Sequence, residues 1–424
     1  MSLRWSLGYL AIPGVLALIF FLAFSSQWLF SNTEPGPLTA HQSVQFNGLV
    51  AALLVCYARA VMTDPGHVPA DWKPDRTPPD STASRQRWCR KCNAHKPPRA
   101  HHCKICQRCI PKMDHHCPWT VNCVSHVTYP HFLRFVGYAD AAMLYLEYFL
   151  FVRASVVWEN RDMPSYLGPT VFQLVHLFLL IIVNSLTLFA LGILFIRALW
   201  CLVVNTYTIE GWEIERHEVL LRRARTMGGY LDGPDGTKVR IVKQEFPYDI
   251  GFWNNIVQGM GTSNVLAWFW PFAASPSNES GLHYETNGFE DPSLSWPPPD
   301  PDRMPRGKVR YDPAEEAAFN SGFSNDEIDA FRQRQQRDYA RLSDYETAIR
   351  RRQKFHRRYD ADDEGSVRQT LDEELSEGEE GEESWATSEG DRLADYGVDE
   401  EIEFYDEEDL PLSELLKRRQ TAAS

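Results

Sequence analysis

CRKCNAHKPPRAHHCKICQRCIPKMDHHCPWTVNC, residues 89–123, decides how this chain is read. Seven of the nine cysteines fall inside it. That density suits metal binding in a reducing compartment, because a secreted disulfide scaffold spreads its cysteines along the chain. The spacing is Cys89-x2-Cys92-x9-His102-Cys103-x2-Cys106-x2-Cys109-x4-Asp114-His115-His116-Cys117-x5-Cys123. A C-x2-C pair is a zinc knuckle, since its tight turn aims two thiolates at one ion, and a structural zinc takes four N/S ligands. Two Cys3His sites consume six cysteines and two histidines, which leaves one cysteine over. Cys117 has the neighbours of an activated nucleophile: His115 to deprotonate it and Asp114 to orient His115. Spacing alone leaves the alternative open, that Cys117 binds metal and another cysteine is idle.

Outward from this segment lie four apolar runs. Leu7–Phe30 has 24 residues without a charge, too long for a signal peptide's apolar core and with no clean cleavage site after it. Val44–Met62 carries only Arg59, near its end where the side chain can snorkel. Leu133–Val157 contains Asp140, Glu147 and Arg153, which are costly in lipid and should face protein or water. Val171–Val204 exceeds the ~20 residues a span needs and should project from the bilayer as a helix. The expectation is an α-helical integral membrane protein of four transmembrane helices. Its cysteine-rich zinc domain sits between helices two and three.

Positive charge sets the orientation. Residues 63–132 hold eleven Lys/Arg, residues 31–43 none, and residues 158–170 only Arg161. The cysteine-rich loop and both termini are therefore expected in the cytosol. The domains read as 1–62 (two spans), 63–132 (cysteine-rich domain), 133–204 (two spans), 205–272 (membrane-proximal motifs) and 273–424 (tail). The net charge of −14 is a property of that tail: residues 370–410 hold 19 Asp/Glu and one Arg, so the remainder of the chain sums to +4. Residues 275–310 read as linker. Phe323–Tyr359 reads as a charged helix with a basic end that could touch anionic headgroups, though a solvated face is the plainer reading. The acidic segment 370–410 has too little apolar surface to fold and is expected to be disordered.

Asp114-His115-His116-Cys117, in this cysteine framework and between the second and third of four spans, resembles the DHHC-type protein S-palmitoyltransferases. Asp64-Pro65-Gly66 is similar to the family's DPG motif. Thr208-Ile209-Glu210 is similar to its TTxE motif, with Tyr207 in place of the first Thr. Residues 255–261 resemble its Asn-containing C-terminal motif. Thr128 stands where an Asn is usual. The resemblance covers residues 5–272 and points to the fungal endoplasmic-reticulum branch.

The resemblance implies two structural Zn2+ ions. One would be held by Cys89, Cys92, His102 and Cys109, the other by Cys103, Cys106, His116 and Cys123. It implies autoacylation of Cys117 by palmitoyl-coenzyme A, with His115 as base and Asp114 orienting it. The acyl group then passes to cytosol-facing cysteines of membrane-protein substrates, with no nucleic acid involved. Lys96, Arg99 and His101 are candidate contacts for the coenzyme A phosphates. Ala142, reached by counting from the motif, is the candidate chain-length residue at the cavity end. Two other classes compete. A membrane-tethered zinc module binding protein or nucleic acid would use the basic loop, which has little aromatic interleaving. An ion transporter would use Asp140 and Glu147.

Overall fold

A computed structural model describes residues 4–73, 87–164, 168–233, 238–288, 296–298, 300–303, 385–388 and 390–399. Among the described residues, four helical segments are long and apolar enough to cross a membrane: Leu10–Ser31, Ala40–Met62, Tyr129–Glu159 and Val171–Val204. The first is α1 (Arg4–Phe20), continued through a π-helical turn at Phe21–Ser25 into α2 (Ser26–Ser31). The others are α3 (Ala40–Met62), α4 (Tyr129–Glu159) and α5 (Val171–Val204). Helices α3 and α5 open with matching capping boxes, Thr39 with Gln42 and Thr170 with Gln173, which satisfy orphan N–H groups at one end of the bundle. Helix α4 starts at Tyr129, four residues before the apolar run, because Pro130 suits the first helical turn.

Leu29, Phe30, Val136, Leu150 and Leu180 fill the bundle centre. The outer face of α5 exposes Phe178, Ile182, Leu186, Phe189, Ile193 and Ile196. Such a stripe suits lipid and has no reason to face water. Two of the three charges in the apolar run of α4 are held by protein, whereas Asp140 Oδ1 is buried without a hydrogen-bond partner. Glu147 accepts hydrogen bonds from Asn184 Nδ2 (2.6 Å) and Ser185 Oγ (2.8 Å) of α5. Arg153 donates to the carbonyl of Gly36 (2.7 Å) and lies 3.5 Å over the Phe30 ring. These are interhelical ties rather than steps of an ion path.

Between α3 and α4 the chain forms three antiparallel hairpins: β1–β2 (Trp88–Cys89, Ala94–His95), β3–β4 (His101–Cys103, Arg108–Ile110) and β5–β6 (His115–Cys117, Asn122–Val124). Strands this short cannot supply a core of their own. The domain is instead fastened to the bundle. Asn122 Nδ2 donates to the Ala60 and Thr63 carbonyls (2.9 and 2.8 Å) at the end of α3, and Tyr57 Oη donates to the Trp119 carbonyl (2.9 Å). Gly66, at φ +88°, brings its backbone against the Asn278 side chain, where a Cβ would meet Oδ1 at 2.4 Å. At Thr128, the hydroxyl donates to the Cys123 carbonyl (2.7 Å) and accepts from the Ser125 N–H (3.0 Å), joining β6 to the start of α4.

Past α5, Asn205 turns the chain at φ 54° into α6 (Thr208–Thr226). Arg99, 3 % exposed, forms a buried ion pair with Glu210 of α6, Nη2 to Oε2 at 2.6 Å and Nε to Oε1. The rings of Tyr248, Tyr284 and Tyr207 surround its guanidinium at 4.6, 5.1 and 5.7 Å. Fully buried Lys112 donates to Asn205 Oδ1 (2.7 Å). A small hairpin, β7–β8 (Tyr230–Asp232, Lys238–Arg240), packs on α6, and α7 (Phe252–Met260) and α8 (Val265–Phe269) follow. Asn255 Nδ2 ties α7 to the Val203 carbonyl (2.7 Å).

One expectation is corrected. Residues 385–388 and 390–399, inside the segment read as disordered, carry a short 3-10 helix at Leu393–Tyr396 and an antiparallel bridge from Val398 to Cys103. Leu393 and Val398 supply the buried apolar contacts that the acidic composition concealed. The charged helix at 323–359 and the rest of the acidic tail lie outside the described residues.

Glu210→Ala should strand Arg99 as a buried unpaired charge, a loss of about 3–5 kcal/mol. A clear fall in Tm of the detergent-solubilised protein is expected, and an unchanged Tm would show that the pair is not what joins α6 to the cysteine-rich domain.

Candidate active site and metal centres

The three hairpins repeat one pattern. His102, Cys103, Cys106 and Cys109 recur fourteen positions later as His116, Cys117, Thr120 and Cys123. The registers agree: His102 pairs with Cys109 and Cys103 with Arg108, while His116 pairs with Cys123 and Cys117 with Asn122. The turns agree as well, with Asn93, Gln107 and Val121 all at positive φ one residue past the knuckle. In the first two knuckles the second cysteine's N–H points at the first sulfur, Cys92 to Cys89 at 3.4 Å and Cys106 to Cys103 at 3.3 Å. Cys117 therefore occupies the first place of a third knuckle whose second cysteine is Thr120. Its sulfur lacks the neighbouring thiolate that a metal would need. This offset was readable in the sequence, and cysteine counting passed over it.

The remaining ligand-type residues form two clusters, Cys89–Cys92–His102–Cys109 and Cys103–Cys106–His116–Cys123, with all ligand atoms within 4.8 Å of one another. His102 Nδ1 lies 3.4, 3.3 and 3.8 Å from the sulfurs of Cys89, Cys92 and Cys109. His116 Nδ1 lies 3.6, 3.5 and 3.5 Å from those of Cys103, Cys106 and Cys123. Tetrahedral bonds of ~2.3 Å to sulfur and ~2.0 Å to nitrogen place ligand atoms roughly 3.5–3.8 Å apart, so both clusters could hold zinc without rearrangement. Neither leaves a ligand position for substrate.

Alternation along β5 sends His116 to the metal side and His115 and Cys117 to the other. His115 Nδ1 is 2.9 Å from Asp114 Oδ2. Asp114 is anchored in turn by the first residue of α6. The Thr208 N–H donates to Oδ1 at 2.7 Å, and its hydroxyl contacts both that oxygen and the Asp114 carbonyl (2.9 Å). A helix N-terminus favours the anion there. Burial pushes the Asp114 carboxyl up, but the hydrogen bonds from His115 and Thr208 outweigh it and hold it below its usual range. Burial alone would lower His115. Its bonds to Asp114 and Cys117 reverse that and raise it to about 10. Burial also pushes the Cys117 thiol up, and the His115 charge and hydrogen bond, with smaller help from Thr120, bring it below its ordinary 9.0. The two shifts run in opposite senses, so the contact favours the thiolate–imidazolium form of the pair over the neutral one.

Cys117 opens into an apolar cavity of about 680 Å³ running between all four spanning segments. His115, Trp119 and Phe132 form its mouth, and Ala139, Ala142, Met143 and Leu146 follow one another down α4. From Phe132 to Leu146 that wall is about 21 Å of helix. Ala142 lies on it one helical turn from Leu146. The proposed phosphate contacts are placed differently. Lys96, Arg99 and His101 are all buried, and the Arg99 guanidinium is committed to Glu210 and Asn205.

The DHHC palmitoyltransferase family model matches residues 82–215. The palmitoyltransferase pfa4 of Aspergillus fumigatus is 54% identical over 98% of this chain and 98% of its own length. The protein of the same name from Emericella nidulans is 53% identical over 98% and 97%. Palmitoyltransferase PFA4 of Saccharomyces cerevisiae is 31% identical over 70% and 83%. The chain belongs to the DHHC palmitoyltransferase family. As a DHHC palmitoyltransferase it is a multi-pass membrane enzyme that palmitoylates protein, and its Asp114–Cys117 segment carries the tetrapeptide of the family name.

Replacing Cys117 by Ser should leave metal content and folding unchanged, whereas Cys123→Ser should lose metal and soluble yield together, because a metal-built domain folds with its ion. Metal analysis of the two purified variants separates them. Loss of metal from Cys117→Ser would contradict the vacant-knuckle geometry.

Proposed function

We propose that the protein transfers a long-chain acyl group from acyl-coenzyme A to cysteine thiols of membrane-associated proteins, through a thioester on Cys117. The observation that carries this is the hydrogen-bonded Asp114–His115 pair, with His115 and Cys117 together at the mouth of an apolar cavity. The Cys117 thiolate attacks the thioester carbonyl, and coenzyme A leaves as a thiol with the proton of the His115 imidazolium. The acceptor cysteine then gives its proton to His115 and attacks the Cys117 thioester. Cys117 departs as a thiolate and re-forms the ion pair. Asp114 stays ionised throughout and keeps the ring's other nitrogen aimed at sulfur.

The cavity supplies binding. Each buried CH2 contributes ~0.8 kcal/mol, so the chain anchors the donor while the thioester waits at the mouth. Both clusters hold Zn2+ as structural ions in this reading, and every reacting atom lies on the opposite face of β5. The charge asymmetry of the loops supports a cytosolic site and cytosolic termini. An endoplasmic-reticulum membrane is the location suggested by the branch resemblance.

Incubation of the purified protein with labelled palmitoyl-coenzyme A should give a hydroxylamine-sensitive label that is absent in Cys117→Ser. A labelled Cys117→Ser would move the intermediate elsewhere. The wild-type acylation rate should hold to lower pH than an ordinary thiol allows, because a lowered thiol pKa keeps the thiolate populated until pH falls through it. His115→Ala returns the thiol toward 9.0, so its rate should climb with pH through the neutral range. A flat profile for that variant would remove His115 from the pair. Bulk at the lower wall should shorten the accepted chain. In competition across three acyl lengths, Ala142→Phe or Ala142→Tyr should favour myristoyl over palmitoyl and stearoyl donors. An equal loss for all three lengths would mean that Ala142 serves helix packing instead.

A further inference from the structure

The cysteine-rich domain is covered on its outer edge by residues from far along the chain. Lys104 N–H donates to the Gly397 carbonyl (2.9 Å) and Asp399 N–H donates to the His102 carbonyl (3.0 Å), so residues 397–399 run antiparallel beside β3. Three consecutive residues thereby touch both metal clusters. Asp399 bonds the backbone of His102, Val398 bridges Cys103, and Gly397 lies on His116. Gly397 is at φ +80°, and a Cβ there would come 2.8 Å from His116 Cβ. Lys91, between the two cysteines of the first knuckle, pairs with the buried Asp399 carboxylate at 2.5 Å.

The upstream part of the same segment reaches α6. Ser388 N–H donates to Glu215 Oε1 (2.7 Å), and Tyr396 Oη donates to Asp391 Oδ2 (3.1 Å). Between them is a cavity of about 350 Å³, lined by Arg197, Thr208 and Trp212 on one side and by Thr387, Asp391 and Tyr396 on the other. The segment thus joins α6 to the β3 and β5 hairpins. Thr208 and Asp114 meet at the same junction.

We propose that residues 386–388 and 390–399 are a positioning strap. They lock the second metal cluster and hold β5 against α6, so that Asp114 keeps the geometry that orients His115. The strap adds a strand edge to a hairpin too short to be stable alone. It is held by charge where an acidic tail meets a basic domain. Lys91–Asp399 is its latch. The effect on chemistry runs through Asp114, and no strap residue touches the reacting atoms. The proposal rests on the reading that both clusters hold zinc.

The test uses the full-length protein in detergent, with Lys91→Glu, Asp399→Lys and the double charge exchange. Readouts are the zinc content, the rate of zinc release to a chelator, and kcat and KM for acyl-coenzyme A in autoacylation. Each single reversal should speed release of zinc on the order of tenfold, the factor lost with roughly one charge-assisted hydrogen bond. It should also lower kcat while leaving KM unchanged, because the acyl cavity is untouched. The double exchange should restore both. Release and kcat at wild-type values in the single variants, or no recovery in the double, overturn the strap. If a charge reversal fails to accumulate, Gly397→Ala supplies the same readouts by pushing the segment off His116, and wild-type release from that variant likewise overturns it. Wild-type protein containing fewer than two zincs would refute the metal reading itself, independently of the strap.

Discussion

Side-chain alternation along three residues of β5 is the constraint on which this site depends. His116 points to one face and joins a four-ligand cluster. His115 and Cys117 point to the other and meet at the mouth of the cavity. A strand of three residues has no stability of its own. Fixing its middle residue in a cluster that could hold zinc would fix the two flanking residues in space without drawing either into coordination. The fourteen-residue repeat explains how a cysteine that joins neither cluster comes to stand inside this framework. The third knuckle keeps the turn and the register, and Thr120 replaces the second cysteine.

The remaining structure aims that strand. Asn122 and Tyr57 hold its hairpin to the end of α3, which places Cys117 at the open end of the bundle. The buried Arg99–Glu210 pair fixes where α6 begins, and Thr208, two residues before Glu210, reaches Asp114. A chain of contacts thus runs from a buried ion pair through a helix N-terminus and a carboxylate to an imidazole and a sulfur. Each link is short and each partner is buried or half-buried, so the geometry is set before any donor arrives.

The four spans were legible in the sequence because lipid demands long apolar runs, and their expected limits fall within a few residues of the helices. The spare cysteine was legible as a number. Its place was legible too, in the offset that sets Thr120 where a knuckle's second cysteine would stand, but the grouping of the other thiols was not, because the two ligand sets interleave along the chain. The structure separates them by register. Lys96, Arg99 and His101 were read as candidate phosphate contacts from their place in the basic loop, since sequence does not show that Glu210, more than a hundred positions away, takes up the Arg99 guanidinium. Residues 385–399 were read by average composition. That average hid Leu393 and Val398, two apolar side chains at the spacing that buries both, and a glycine at the single point of close approach to His116.

The claim at the centre of this account is that Cys117 is free of metal and carries the acyl group while both clusters remain filled. Intact-protein mass spectrometry under native conditions, after brief exposure to palmitoyl-coenzyme A and followed by peptide mapping, tests it directly. The account predicts one species bearing two zinc ions and one palmitoyl group together, with the acyl group on Cys117. Acylation accompanied by loss of a zinc ion, or mapped to any other cysteine, would contradict it.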